Sequence, residues 1–408
     1  MVMTAIRQPF IDIIRGGALL GILIVNAYSF NNGMRDAISG AELGAWTWSD
    51  QIVDFLVNWL FAGKFILIFA FVMGWGIYTQ TSNAGPFRAR YLRRLLGLFL
   101  MGVVHYLFIF SNDILTVYAI VGLLMLRPIG RDWPVRRLVR SAIIIFGMAL
   151  LVFLVVLMGV WLLFPGTLAG FVASFSIPAR WELYRTGRYT EIVADRLSDL
   201  PLLIPMTALI YAFIGLPMIR VGFAAAKINS KMEHEAVRTV VRSTAPYLLM
   251  MGIVGSGATA YTSMYTNDPL TKGLSVIASF VFEPMLALGY LLTAFLLLDR
   301  RPENWLTKVL AAAGRMSLTN YVGQSVVMSL LFFGYGYGLS GTIGSAAMIV
   351  ICLAVYAMLA LFSLVWLDYV RIGPLEWLLR SMTEWRWGGS RHDALPAPVP
   401  DTASSKAD

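Results

Sequence analysis

The sequence predicts an all-α polytopic membrane protein with about ten transmembrane helices and both termini cytoplasmic, on three observations. Apolar residues make up 58% of the 408-residue chain and charged residues 13%, where soluble domains run at about 45–50% and about 25%. Apolar runs of about 18 residues or more, enough for a helix to cross a bilayer, recur along the whole length. Lysine and arginine also divide unevenly between alternate connections, which is the pattern that orients a membrane protein.

The spans are read in order. The first, 10–30, carries Asp12 and Arg15 and has no small-residue cleavage site behind it, so it reads as a span and not a secretory leader. The second, 52–79, is apolar on both sides of Lys64. The third, 91–111, starts among four arginines, Arg88, Arg90, Arg93 and Arg94, and 114–130 returns to Arg127 and Arg131. Span 141–165 leaves from Arg136, Arg137 and Arg140, and 201–224 comes back to Lys227 and Lys231. Three more, 244–265, 274–298 and 305–333, are punctuated by Arg242, Arg300 and Arg301, and 342–369 ends before Arg371. With the N-terminus inside, 23 lysines and arginines fall in inner segments, six in outer ones and three (Arg15, Lys64, Arg315) within spans. The net charge of +9 therefore faces the anionic inner leaflet, and no nucleic-acid partner is needed to account for it.

Residues 1–386 read as a single transmembrane helical domain. Segment 166–200 is expected to form amphipathic helix at the outer surface. Residues 373–386, "GPLEWLLRSMTEWR", read as an inner-surface helix started by Pro374, and 387–408 as a disordered cytoplasmic tail. Cys352 is the sole cysteine, so an intrachain disulfide and a Cys-based metal site are excluded; no metal is expected. Gly63, Gly74, Gly76, Gly252, Gly255 and Gly257 read as close-packing positions.

Ionisable groups inside spans are costly and by default face the bundle interior. Arg15 and Asn26 are eleven residues apart, on one face of the first span and about 16 Å apart along its axis. His105, one of three histidines, lies below the outer end of the third span, and Asp113 follows at the rim. His234 falls in a charged loop and His392 in the tail. Asp54 and Asn58 are neighbours at i,i+4 near the outer end of the second span, with Lys64 deeper. Glu283 is near mid-depth, and Ser317, Asn320 and Gln324 share a stripe of the ninth span. Asn26, Asp54, His105, Asp113 and Gln324 thus gather in the outer half, with Arg15 and Arg315 beneath. A carboxylate beside His105 would orient one ring nitrogen and leave the other as a base; the alternative is an interhelical hydrogen bond with no chemistry.

The segments "IDIIRGGALLGILIVN", "GKFILIFAFVMGWGIYTQ", "RRLLGLFLMGVVHYLFIFSNDILTVYAIVGLLML", "LYRTGRYTEIVADRL", "GRMSLTNYVGQS", "GYGYGL" and "GPLEWLLRSMT" resemble, in that order, the YeiB-like family of bacterial inner-membrane proteins. That family looks like a branch of the transmembrane acyltransferases that include heparan-α-glucosaminide N-acetyltransferase. Those proteins are similar in pairing a first-span Arg with a polar residue after ten intervening positions, an asparagine in the heparan branch; here these are Arg15 and Asn26. The heparan enzyme has a functional histidine soon after that asparagine, whereas the first histidine here is His105, on another helix.

The resemblance implies transfer of an acyl group, expected to be acetyl, from a cytoplasmic acyl-CoA to an acceptor hydroxyl or amine in the outer half. His105, Asn26, Asp113 and Asp54 are then the catalytic candidates. Arg15, Lys64 and Arg315 are candidates to hold the acyl-CoA, and Glu283, Asn320 and Gln324 to bind the acceptor. Implied partners are the bilayer and a small-molecule, glycan or lipid acceptor, with a homodimer as one admitted assembly. The main alternative is a transporter or lipid-translocating protein, against which stands the lack of a visible pair of Gly/Pro-broken helices in matching halves. An accessory subunit binding lipid or quinone without chemistry is a third reading.

Overall fold

A computed structural model describes residues 9–31, 47–81, 87–163, 181–299 and 304–385. The expected tail, 387–408, and residues 166–180 of the expected outer segment lie outside the described residues. Among those described there is no strand. With the backbone polar groups satisfied inside each helix, apolar side chains can face lipid directly.

The helices are α1 (Pro9–Asn31), α2 (Trp48–Leu60), α3 (Lys64–Thr81), α4 (Phe87–Phe108), α5 (Leu115–Leu123), α6 (Leu126–Gly130), α7 (Val135–Leu163) and α8 (Trp181–Thr186). They continue with α9 (Tyr189–Asn229), α10 (His234–Tyr265), α11 (Pro269–Leu298), α12 (Trp305–Arg315), α13 (Ser317–Phe332), α14 (Ser345–Val370) and α15 (Pro374–Glu384). Among the described residues, seven segments are long and apolar enough to cross a membrane: α1, α2 with α3, α4, α7, α9, α11 and α14. On α7, Ile143, Leu151, Val155, Leu162 and Leu163 stand exposed, a face that only hydrocarbon would cover without penalty.

Three of the ten expected spans take another form. Residues 114–130 divide into the short helices α5 and α6. Residues 244–265 form the end of the 32-residue α10, whose charged first turns extend the helix past the expected limit. Residues 305–333 are two helices broken at Met316. The helix over 189–200 does not lie apart at the surface. It is the start of the 41-residue α9, which runs unbroken through the expected span 201–224. Helix α15 occupies the expected position of the 373–386 helix, with proline at its start.

The second span is also broken, at 61–63, so with 114–130 and 305–333 three spans carry interruptions that residue patterning did not reveal. Gly63 turns the chain at φ +78, a conformation that costs glycine little. The carbonyls left open at the end of α2 are taken by side chains: Lys64 Nζ donates to Asn58 O at 3.0 Å and Tyr290 Oη to Leu60 O at 3.2 Å. At the Met316 break, Asn320 Nδ2 donates to Ala313 O at 3.0 Å, and Glu376 of α15 accepts from the amides of Leu318 and Thr319 at the start of α13. At both breaks side chains therefore take up part of the hydrogen-bond demand that helix ends create.

Glycine pairs set the closest crossings. A methyl group at Gly74 would strike Ile219 O, and one at Gly222 would strike Phe71 O, so α3 and α9 touch backbone to backbone. Gly16 against Leu310 and Gly314 against Asp12 bring α12 antiparallel onto the first turns of α1, and Gly252 and Gly289 do the same for α10 and α11. Gly255 and Gly257 also pack closely, on Phe282 and Trp59, but a methyl group at Gly76 would meet only the Gln80 side chain at 4.0 Å, and Gly63 is a turn residue. Small residues that let helices approach are the usual packing device where hydrophobic exclusion cannot drive association.

Candidate functional site

The last turn of α4 carries His105. Beyond it the chain turns at 109–114, where the amides of Ile109 and Phe110 both donate to His105 O, at 2.9 and 2.8 Å. The turn brings Asp113 back over its own helix. Asp113 Oδ2 accepts from Thr116 N at 2.7 Å at the start of α5, while Oδ1 lies 2.9 Å from His105 Nδ1. One carboxylate thus holds the beginning of α5 and fixes the imidazole. Gly102 permits this, because a methyl group there would run into Thr116 and the Asp113 carboxylate.

Both side chains of the pair are buried, at 1% exposure each. A carboxylate at Nδ1 draws the ring proton to that nitrogen and leaves the Nε2 lone pair available. Nε2 is buried and has no hydrogen-bond partner. Burying a polar atom unpaired costs about 1–3 kcal/mol, so this is the position to inspect for chemistry.

Asn26 of α1 reaches the same layer. Its Oδ1 accepts from Asn112 Nδ2 at 3.2 Å, and Asn112 O accepts from Tyr321 Oη at 3.3 Å. Tyr321 Oη in turn accepts from Ile114 N at 3.2 Å, and its ring centre is 5.1 Å from that of His105. Three separate elements, α1, the 109–114 turn and α13, are therefore tied around the imidazole. Gln324 is one turn further along α13, 3% exposed, with Nε2 unpartnered. Phe30 and Phe110, stacked at 3.8 Å, and Phe332 and Phe333 close the layer towards the Asn31 end of α1. Asn112 and Tyr321 were not singled out by sequence reasoning. Each is adjacent to a residue that was, in "SND" and "TNY", but a neutral amide and a phenol give no signal until the turn is folded.

The other sequence candidates lie elsewhere. Asp54 accepts from Tyr28 Oη at 2.8 Å, so the acid at His105 is Asp113. Lys64 pairs with Glu283 at 3.7 Å at the break of the second span. Asn320 is held between Ala313 O and Ser363, where Nδ2 donates to Oγ at 2.8 Å, and it serves the α12–α13 break. At the Asp12 end of α1, Arg15 pairs with Asp12 at 3.1 Å and lies within electrostatic reach of Arg94, as does Glu376. Arg315 donates to Arg371 O at 3.2 Å nearby. Among the described residues, no three His, Cys, Asp or Glu side chains gather closely enough to hold a metal.

Comparison with known proteins gives three relatives that match nearly end to end. The uncharacterized protein YxaH of Bacillus subtilis (strain 168) is 29% identical over 93% of this chain and 95% of its own length. An uncharacterized 39.9 kDa protein from the amylase 3' region of Bacillus acidopullulyticus is 26% identical, covering 92% and 94%. The uncharacterized protein YeiB of Escherichia coli (strain K12) is 26% identical, covering 92% and 96%. Residues 200–386 match the family described as protein of unknown function (DUF418).

Proposed function

From a chain that is YeiB-like over nearly its whole length, we propose a transmembrane acyltransferase of the bacterial inner membrane with both termini cytoplasmic. It moves an acyl group, acetyl in the simplest case, from acyl-CoA to a hydroxyl or amine acceptor. The observation that carries this reading is His105: an imidazole held at Nδ1 by Asp113 with a bare, buried Nε2, which is the arrangement of a general base.

The acceptor O–H or N–H gives its proton to His105 Nε2 as the acceptor atom attacks the thioester carbonyl. Asn26, steadied by Asn112, is in the layer where the resulting oxyanion is stabilised by hydrogen bonding. The tetrahedral intermediate collapses with cleavage of the C–S bond, and the imidazolium returns the proton to the leaving sulfur. Products are the acylated acceptor and the CoA thiol. Arg15, Arg94 and Arg315, at the Asp12 end of the bundle, supply positive charge for the donor's phosphates; Gln324 is suited to bind the acceptor.

A second reading, a carrier, draws support from the breaks at 61–63 and Met316 and the Lys64–Glu283 pair at the first of them, since interrupted helices mark transport sites in other folds. Radiolabelled acetyl-CoA offered to protein in nanodiscs, with a membrane extract as acceptor source, separates the two. Label covalently bound to an acceptor is the result expected of the enzyme. Movement of solutes across proteoliposomes without any label transfer would favour the carrier.

A further inference from the structure

Arg196, on α9, is among the most completely buried large side chains of the described molecule, at 1% exposure. It sits where α9 passes the end of α4. NH1 donates to Leu107 O at 3.3 Å, and the guanidinium carbon is 5.4 Å from the ring centres of both Tyr184 and Phe333. Nε and NH2 are buried and make no hydrogen bond. These two nitrogens form the side edge of the guanidinium, whose parallel N–H bonds match the two oxygens of a carboxylate or phosphate. Tyr106 is within electrostatic reach of Arg196; it is 3% exposed, and its hydroxyl also has no partner. The surroundings are not uniformly positive. Asp195 and Asp199 are within electrostatic reach of Tyr106 too, and Tyr184 Oη donates to Asp195 Oδ2 at 3.4 Å while its oxygen also lies within hydrogen-bonding reach of the Arg196 guanidinium.

A buried cation with its fork open is expensive unless something completes it. We propose that the Nε/NH2 edge of Arg196, with the Tyr106 hydroxyl as a third donor, binds an oxyanion, a carboxylate or phosphate group. The site is separated from His105 by the Phe30–Phe110–Phe333 rings. On the acyltransferase reading it holds an acidic group of the acceptor while the nucleophile reaches towards Nε2. The acceptor is then an anionic molecule, either a soluble acid or an acidic lipid headgroup.

The test measures binding and does not depend on acyl transfer. Purified full-length protein in nanodiscs of neutral phosphatidylcholine is titrated calorimetrically with inorganic phosphate and with glucuronate, and its thermal stability is compared after phosphatidylglycerol is added to the discs. Saturable binding of a soluble probe identifies a free anion. Stabilisation by phosphatidylglycerol alone identifies a headgroup. In either case Arg196→Lys, which keeps the charge and loses the fork, weakens the effect about tenfold or more, and Tyr106→Phe weakens it less. If Arg196→Lys does not fold, loss of affinity in Tyr106→Phe carries the decision. Binding unchanged in Tyr106→Phe, or in a folded Arg196→Lys, overturns the proposal. So does a wild-type protein that responds to none of the three probes, its fork then satisfied by water alone. Failure of the labelled-acetyl experiment with anion binding intact would remove the acyltransferase reading and leave this site standing.

Discussion

Two acid–base pairs set within the spans, Lys64–Glu283 and His105–Asp113, are built differently. Lys64 and Glu283 close the break in the second span: the ammonium is shared between the carboxylate at 3.7 Å and Asn58 O at 3.0 Å. The Asn58 and Leu60 carbonyls at that end of the helix are both taken by side chains, and the pair behaves as a lock. His105 and Asp113 close a turn between α4 and α5 in the same manner on one side, where the carboxylate also holds Thr116 N. On the other side Nε2 is left with nothing. A fully satisfied pair is an element of architecture. A pair with one idle, buried lone pair bears a cost that structure alone does not recover, and the difference marks where to look for function.

The contrast breaks most visibly at the lock. Lys64→Met leaves Glu283 buried without its partner and is expected to destabilise the protein by about 3–5 kcal/mol, read as a fall in melting temperature in detergent. The double variant Lys64→Met/Glu283→Leu should recover much of the loss. A single variant as stable as wild type would mean that the pair is not what holds the break together.

Asp113→Asn addresses the other pair. The amide keeps the shape and can present its NH2 to Nδ1, so the proton moves to Nε2 and the base disappears. Acyl transfer is expected to fall by about 10²–10⁴ with a smaller change in stability. Because the chain holds three histidines, nitrogen NMR of histidine-labelled protein checks the cause independently: Nε2 of His105 bare in wild type, protonated in Asp113→Asn.

Gly102→Ala should act in between. Its methyl group meets Thr116 and Asp113 Oδ2, so it pushes the carboxylate off the ring at a cost of about 1–3 kcal/mol in stability. It should lower transfer with little effect on donor binding, measured as kcat against KM for acetyl-CoA. The smallest effect lies outside the spans. Asp132, mostly exposed, accepts from Lys227 Nζ at 2.6 Å, and that hydrogen bond and charge hold its carboxyl below the usual range. The stabilisation is present above the unfolded carboxyl pKa of about 3.9 and lost as pH falls through the lower folded value. Asp132→Asn should therefore cost under about 1 kcal/mol at neutral pH and nothing in strong acid, read from melting temperature against pH.

Composition and run length were sufficient for the all-helical, membrane-like architecture, because the hydrocarbon core makes length and apolarity nearly decisive. What they missed has a common cause. The breaks at 61–63 and at Met316 depend on partners far away in sequence, Tyr290 and Glu376, and no local pattern announces a carbonyl that a distant side chain will satisfy. The site was legible in the same proportion. His105, Asp113 and Asn26 stand out as polar groups at matching depth, and the structure gathers them around the 109–114 turn. Asp54, Lys64 and Asn320 stood out equally and belong to helix ends and crossings. Depth along a span can be counted from sequence, whereas the direction in which a helix faces cannot. Arg196 illustrates the converse: it was counted among outer-surface charges and is buried in the bundle.

The account turns on the idle nitrogen of His105, and the most direct measurement is label transfer from radiolabelled acetyl-CoA by wild type, His105→Ala and Lys64→Met/Glu283→Leu, each shown to be folded. Transfer by wild type and the double variant, with none by His105→Ala, is the predicted result. Equal transfer by His105→Ala would contradict it.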